Sequence, residues 1–211
     1  MNPAADPPRD CPICPRLAAF RSHWAEREPA WHNAPVPLFG DPGARLLIVG
    51  LAPGLRGANR TGRPFTGDYA GDLLYATLLD FGWATGTYRA SPDDGIALVG
   101  AAIVNAVRCV PPENKPTPQE IGNCRPYLSA AIAGLPALDR ILALGRIAHD
   151  SVVRAFGLPA SRLPFGHGAV HRLSDRITLH DSYHCSRYNT NTGVLTEPMF
   201  RAVFEGLRKG T

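Results

Sequence analysis

The sequence predicts an α/β fold, a three-layer α/β/α sandwich around a mainly parallel sheet. Three observations carry this. The almost uninterrupted apolar runs "RLLIVGL" (45–51), "ALVGAAIVNAV" (97–107) and "RILALG" (140–145) read as strands buried on both faces, as parallel sheets require. Each run is followed by a stretch with helical spacing, so strand and helix alternate along the chain. Polar loops rich in glycine and proline follow the strands, where open α/β sheets bind their ligands.

The elements can be justified in order. After a proline-rich start, "CPICPRLAAFRSHWAERE" has helical spacing and is expected to pack through Leu17, Phe20 and Trp24. The first strand hands over to the loop "GLAPGLRGANRTGRPFTGD", Gly50 to Asp68, and the return helix "GDLLYATLLDFG" (71–82) places Leu74, Leu78 and Phe81 on one face. The second strand is followed by "TPQEIGNCRPYLSAAIAGL", where Thr117 and Glu120 have the spacing of a capping box. The third leads into "RIAHDSVVRAFG", closed by Gly157. Two short strands, "AVHRL" and "RITLHDSY", bring the chain to "HCSRYN", and a last helix begins at Thr196 as its N-cap.

At 211 residues, with 45% hydrophobic and 19% charged residues, the chain is expected to be one domain spanning 1–211. The basic residues are nearly all arginine; Lys115 and Lys209 are the only lysines. Arginine's planar fork suits phosphate, but a net charge of +4 is too modest to indicate nucleic acid by itself. No apolar run reaches the roughly 18 residues of a membrane helix, and "MNPAADPPRD" does not read as a signal peptide, so a cytoplasmic protein is expected.

In a reducing compartment five cysteines point to metal or reactive thiols, not to a disulfide framework. Cys11 and Cys14 form a C-x2-C pair, and Cys109 and Cys124 lie far downstream. Four thiolates suit zinc or an iron–sulfur cluster about equally on spacing. Cys185 is surplus to such a site and reads better as a small space-filling residue than as a catalytic thiol.

The 50–68 loop fits neither phosphate-binding pattern. A P-loop needs a lysine that is absent here, and Gly50, Gly54 and Gly57 do not have the G-x-G-x-x-G spacing of a dinucleotide fold. A floor of glycines with an aromatic at Phe65 and a carboxylate at Asp68 suggests a pocket for a flat polar group. Asn105, at the end of a buried strand, can donate and accept hydrogen bonds at the edge of such a group.

Taken together, "GLAPG…GRPFTGD", "NAVRC…C" and the "H-x-S-x-x-N" of residues 184–189 resemble the uracil-DNA glycosylase superfamily in its iron–sulfur branch. The match runs from Cys11 to about Met199. "GLAPG" puts Ala52 where family 4 has a glutamate, so the chain is most similar to family 5 (type B). The resemblance implies a four-stranded parallel sheet and a [4Fe–4S] cluster on Cys11, Cys14, Cys109 and Cys124. That cluster is expected to be structural and to lie away from the three site loops.

The resemblance also implies a DNA repair activity: a monofunctional glycosylase that hydrolyses the N-glycosidic bond of uracil, and of other deaminated bases, to leave an abasic site. Phe65 would stack on the pyrimidine, Asn105 would read its edge, and His184 would donate to its O2. Gly50, Ala52 and Gly54 would complete the base pocket. Asp68 would activate the water, with Asp72 as the fallback; as a mere helix cap it would need neither role. Arg56, Arg60, Arg63 and Arg187 could meet phosphate. Ser186 matches the motif residue that contacts the backbone, and Tyr188 lies with Arg187 in the segment that probes the base stack.

The lysine count argues against a Schiff-base lyase. "HCS" departs from the usual "HPS", since Cys185 frees a backbone torsion and restores an N–H. His149, His167, His171 and His180 have no motif context and read as structural. The expected partner is single- or double-stranded uracil-containing DNA, met by a monomer. The alternative is an iron–sulfur DNA-binding protein of weak catalytic power on the same scaffold.

Overall fold

The computed structural model describes residues 6–209. In chain order the elements are α1 (Pro15–Arg27), β1 (Phe39–Gly40), β2 (Leu46–Gly50), α2 (Ala58–Thr61), α3 (Tyr69–Asp80), β3 (Ala84–Thr85), β4 (Ala97–Leu98), β5 (Ala101–Asn105), α4 (Pro118–Ala133), β6 (Arg140–Leu144), α5 (Arg146–Ala155), β7 (Val170–Arg172), β8 (Thr178–Ser182), α6 (Arg187–Asn191) and α7 (Glu197–Lys209). Short 3-10 turns occupy Pro112–Asn114 and Ala160–Arg162.

The main sheet has six strands in the order β1-β5-β2-β6-β8-β7, which corrects the expected four. The inner four, β5-β2-β6-β8, are all parallel, and the expectation holds for them. Two short antiparallel edges, β1 on β5 and β7 on β8, account for the excess. β7 falls on the expected short strand "AVHRL", whereas β1 leaves no clear trace in sequence, because two residues cannot establish a period. A second correction concerns 97–107. Gly100, at φ +61°, breaks the run, so 97–98 pairs with β3 in a separate hairpin and only 101–105 enters the main sheet.

The inner strands are buried along both faces, and alternate residues feed two cores. Leu46 and Ile48 of β2, Ile103 of β5 and Leu142 of β6 face α3 and α7, packing with Leu74, Leu78, Phe200 and Phe204. Leu47, Val49, Val104 and Ile141 face α4 and α5, packing with Leu128, Val152 and Val153. Each such side chain contributes about 1.5–3 kcal/mol by leaving water, so the slab between the helical layers is the rigid part of the molecule.

The helix ends follow their signals. Thr117 caps α4 and the Glu120 side chain returns to the Thr117 N–H, completing the capping box. Asp68 caps α3 by accepting from the Gly71 N–H. Thr196 Oγ1 accepts from the Met199 N–H at the start of α7. α1 is the exception to its expected packing. Only Leu17 and Arg21 are buried on it, whereas Trp24 stacks at 5.7 Å on Trp31 of the loop that follows. No described helix is long and apolar enough to cross a membrane.

Candidate active site

The parallel register fixes where chemistry can occur. Gly50 and Asn105 are paired residues at the carboxyl ends of β2 and β5, and β8 ends nearby at Ser182. Beyond these ends opens a cavity of about 410 Å³, lined by Ala52, Phe65, Asp68, Asn105 and His184, with Arg187 among its other residues. Three loops remote in sequence therefore converge on one space.

Each side chain has a local reason for its position. Phe65 takes a left-handed backbone, φ +53°, unusual for a bulky residue and a sign of stored strain. The conformation is pinned on both sides, by Tyr75 Oη donating to the Pro64 carbonyl at 2.8 Å and Tyr88 Oη donating to the Phe65 carbonyl at 3.1 Å. The ring then lies 5.9 Å from that of His184, inclined by 28°. Gly50 permits this approach, since a Cβ there would stand 2.6 Å from the Phe65 ring and closer still to the Asn105 carboxamide.

Asn105 is 3% exposed, and its Oδ1 has no hydrogen-bond partner among the described residues. A buried amide oxygen left unpaired costs about 1–3 kcal/mol, a penalty that a ligand edge in the cavity would remove. His184 sits in the same wall and burial pulls its pKa down to about 4, so the imidazole is neutral at physiological pH. Asn189, the last residue of the "H-x-S-x-x-N" motif, fixes this turn by donating from Nδ2 to the His184 carbonyl at 2.8 Å.

Asp68 divides its two oxygens. Oδ1 accepts from the Gly71 N–H at 3.2 Å as the cap of α3. Oδ2 lies against Gly57, where a Cβ would stand 2.5 Å away, so glycine makes room for it. Burial raises the Asp68 pKa, against the opposing pull of the backbone N–H groups. Asp72, the fallback, is exposed on the first turn of α3 and does not line the cavity.

The remaining polar residues separate clearly. Arg56, Arg60 and Arg187 are exposed, and the Arg187 guanidinium lies 5.1 Å over the ring of Tyr69. Tyr188 is 73% exposed, and Ser186 caps α6 by accepting from the Asn189 N–H. Arg63 departs from expectation. It is 5% exposed, paired through both Nη atoms with Asp94 at 2.8 Å and bonded through Nε to Thr66 Oγ1 at 2.7 Å. Rings of Phe39, Tyr75 and Tyr88 surround it. Its charge is consumed inside the fold, so Arg63 is no phosphate contact.

Cys185 is fully buried in the core, its thiol donates to the Ala70 carbonyl at 3.4 Å, and burial pushes its pKa up to about 12. It fills space and ties the 184–188 turn to α3.

Asn114 was not singled out by sequence. It lines the cavity from the turn after β5, held at φ +57° by its N–H bonding to the Pro111 carbonyl at 3.2 Å. An asparagine following two prolines beyond a strand end was the available signal.

Cys11, Cys14, Cys109 and Cys124 surround one small cavity between α1, the start of α4 and the segment after β5. Arg21 Nη1 reaches Cys109 Sγ at 2.7 Å, and the Arg108 N–H points to Cys124 Sγ at 3.3 Å. Donors aimed at buried sulfurs suit thiolates that carry a metal centre. The expectation that this group stands away from the site loops is corrected at one point. Ala52 packs against the cluster of Leu17, Val107, Cys109 and Cys124 and also lines the larger cavity, so the two share a wall.

The family model of the Uracil DNA glycosylase superfamily matches residues 37–208. A Thermus thermophilus protein named a type-5 uracil-DNA glycosylase is 46% identical over 199 residues, which cover 92% of this chain and 90% of its own. A Pyrobaculum aerophilum protein of the same name is 38% identical, over 89% of this chain and 83% of its own. A type-4 uracil-DNA glycosylase from that organism is less similar, 32% identical over 81% of this chain and 78% of its own. With its inner parallel strands, the three loops at their ends and these matches over most of its length, the chain belongs to the uracil-DNA glycosylase superfamily and is most like its type-5 members.

Proposed function

We propose that this protein removes uracil from DNA by hydrolysing its N-glycosidic bond, without a covalent enzyme intermediate, and leaves an abasic site. The observation that carries this is the cavity at the strand ends, where an aromatic ring, a carboxamide whose oxygen has no partner among the described residues, a neutral imidazole and a carboxylate oxygen meet.

A base must leave the helix to be reached, at a cost of a few kcal/mol. Phe65 offsets part of that cost by stacking on the flipped pyrimidine. The Asn105 carboxamide presents an N–H donor beside an acceptor oxygen, the complement of the O4 and N3–H edge of uracil. As the glycosidic bond lengthens, electrons move into the base, and the His184 N–H stabilises the charge developing on O2. A neutral imidazole suits this task because it holds its proton while donating.

On the sugar side, Asp68 Oδ2 accepts from the attacking water and faces the positive charge growing at the anomeric carbon. At ~4 Å and an effective dielectric of ~20 the attraction is about 4 kcal/mol, about a thousandfold in rate. Asn114 provides a second amide in the cavity wall that can hold the same water. Arg187 and Tyr188 present a cation and a ring to the DNA beside the pocket, while Arg56 and Arg60 are placed to meet phosphates. Lys115 is paired with Glu113 at the surface and does not line the cavity, which favours hydrolysis over a Schiff base.

Cys11, Cys14, Cys109 and Cys124 would hold a [4Fe–4S] cluster. Four thiolates suit zinc as well as an iron–sulfur cluster, and the likeness of the motifs to the superfamily's iron–sulfur branch favours the cluster. Bound there, the cluster ties α1 to the segment after β5 and to α4. Cys109→Ser is expected to lose iron and brown colour; iron retained at the wild-type level would remove the cluster from these residues. The whole chain, 1–211, acts as one domain and as a monomer in the cytoplasm.

The decisive assay incubates the protein with uracil-containing oligonucleotides, single- and double-stranded, and then adds alkali. Strand scission that requires both uracil and alkali supports a monofunctional glycosylase. Scission without alkali would show a lyase, and none on uracil would overturn the reading.

A further inference from the structure

Three residues before His184, β8 carries Asp181, which is fully buried. Around it stand His149 of α5, also fully buried, and His171 of the edge strand β7. The proposed reaction uses none of them, and the sequence reading leaves the two histidines in structural places. Yet their ligand atoms all lie within 4.8 Å of one another, which no other described set of three or more His, Cys, Asp or Glu side chains matches.

The protons show what the cluster lacks. His149 Nε2 lies 2.7 Å from the Leu163 carbonyl, which can only accept, so this nitrogen carries the hydrogen. In a neutral ring Nδ1 is then a bare lone pair, and it faces Asp181 Oδ1 at 2.8 Å. Two acceptors in such contact need a positive species between them. A proton on Nδ1 would meet that need, but it leaves a second defect untouched. Among the described residues His171 Nε2 is buried without a hydrogen-bond partner, 3.5 Å from Asp181 Oδ2. A divalent cation resolves both contacts at once.

We propose that His149 Nδ1, His171 Nε2 and the Asp181 carboxylate bind a divalent transition-metal ion of the zinc type. In a tetrahedral site with bonds of ~2.0–2.1 Å the ligand atoms stand about 3.3 Å apart. His149 Nδ1 stands 2.8 Å from Asp181 Oδ1 and His171 Nε2 3.5 Å from Asp181 Oδ2, one carboxylate oxygen facing each imidazole. Two imidazole nitrogens and one carboxylate oxygen suit zinc better than magnesium or calcium, which prefer oxygen throughout. The outer contacts fit as well. The Leu163 carbonyl fixes the His149 tautomer, and the Gly166 N–H reaches Asp181 Oδ2 at 3.4 Å, the kind of support that orients metal ligands.

The ion joins α5, β7 and β8. β7 has only three residues to hold it to the sheet, and β8 delivers the turn that bears His184. The role is therefore structural: it clamps the sheet edge next to the catalytic turn.

The test uses the holoprotein purified with Zn²⁺ in the buffer and then dialysed against metal-free buffer. Zinc and iron are measured separately for wild type, His171→Gln and Cys109→Ser. Stoichiometric zinc is expected in wild type and in Cys109→Ser, and loss of zinc with retention of iron in His171→Gln. A zinc chelator should lower the unfolding temperature of wild type and leave that of His171→Gln unchanged. Wild type without zinc, or zinc that persists in His171→Gln or disappears with Cys109→Ser, overturns the site. Should His171→Gln fail to fold, Co²⁺ loaded into wild type decides. Absorption of nitrogen- and oxygen-ligated tetrahedral cobalt supports the site, and a thiolate charge-transfer band or no cobalt spectrum refutes it.

Discussion

Two polar clusters at either side of Phe65 are built on opposite plans. In one, Arg63 and Asp94 leave nothing open. Both guanidinium Nη atoms meet the carboxylate, Nε meets Thr66, and Asp94 also accepts from the Arg89 and Ile96 N–H groups. In the other, Asn105 keeps a buried oxygen without a partner and His184 is held neutral by burial. Both set polar side chains against aromatic rings, so residue type does not distinguish them. The difference lies in hydrogen-bond completeness. A satisfied cluster holds the fold, and an unsatisfied one waits for a ligand.

This contrast is sharpest where it predicts opposite phenotypes. Arg63→Ala strands a buried carboxylate and is expected to cost about 3–5 kcal/mol of stability, read as a lower midpoint in urea unfolding. The pair should also be sensitive to acid. The Arg63 hydrogen bonds hold the Asp94 carboxyl well below its usual range. A depressed carboxylate contributes stability above its unfolded value near ~4 and loses it as pH falls through the folded value. Wild type should therefore lose more stability in acid than Arg63→Ala. Asn105→Ala, on the open side, should instead unfold near the wild-type midpoint while losing uracil excision. Equal destabilisation by both substitutions would erase the distinction.

Asp68→Asn comes next, with a fall of about a thousandfold in single-turnover rate and little change in stability, because the amide oxygen can still cap α3. Burial raises the Asp68 pKa, so the rate should fall with acid at a pH above the usual carboxylate range. That acid limb should vanish in Asp68→Asn. His184→Ala removes one donor to the leaving base and should cost about a hundredfold to a thousandfold. Since the imidazole stays neutral down to about 4, His184→Gln should keep the acid limb. A limb that moved with His184 and ignored Asp68 would reverse their roles.

How much of this the sequence discloses follows from range. The inner strands were legible because continuous apolar runs are local, and α4 because Thr117 and Glu120 are three residues apart. The convergence of 50–68, Asn105 and 184–189 was legible as strand ends of one parallel sheet. Arg63 was misread because its partner is 31 residues away and a loop arginine between Gly62 and Pro64 looks solvated. The split at Gly100 was hidden because both sides of the break are apolar. The wall that Ala52 shares between cavity and cysteines, and the closeness of His149 to Asp181, depend on packing between elements that no local pattern encodes.

Arg187 falls between the two plans and should show the smallest effect. Its guanidinium is exposed, yet it rests over the Tyr69 ring at 5.1 Å on the rim of the cavity. An exposed cation–π contact is worth about 0.5–1 kcal/mol, so Arg187→Ala should scarcely alter unfolding. If the charge also meets one phosphate, the slope of log affinity against log salt should become shallower by about one. Binding of abasic-site DNA at several salt concentrations reads this directly. A weaker affinity with an unchanged salt slope would mean that Arg187 acts by holding Tyr69 in place, and would move it to the satisfied side of the comparison.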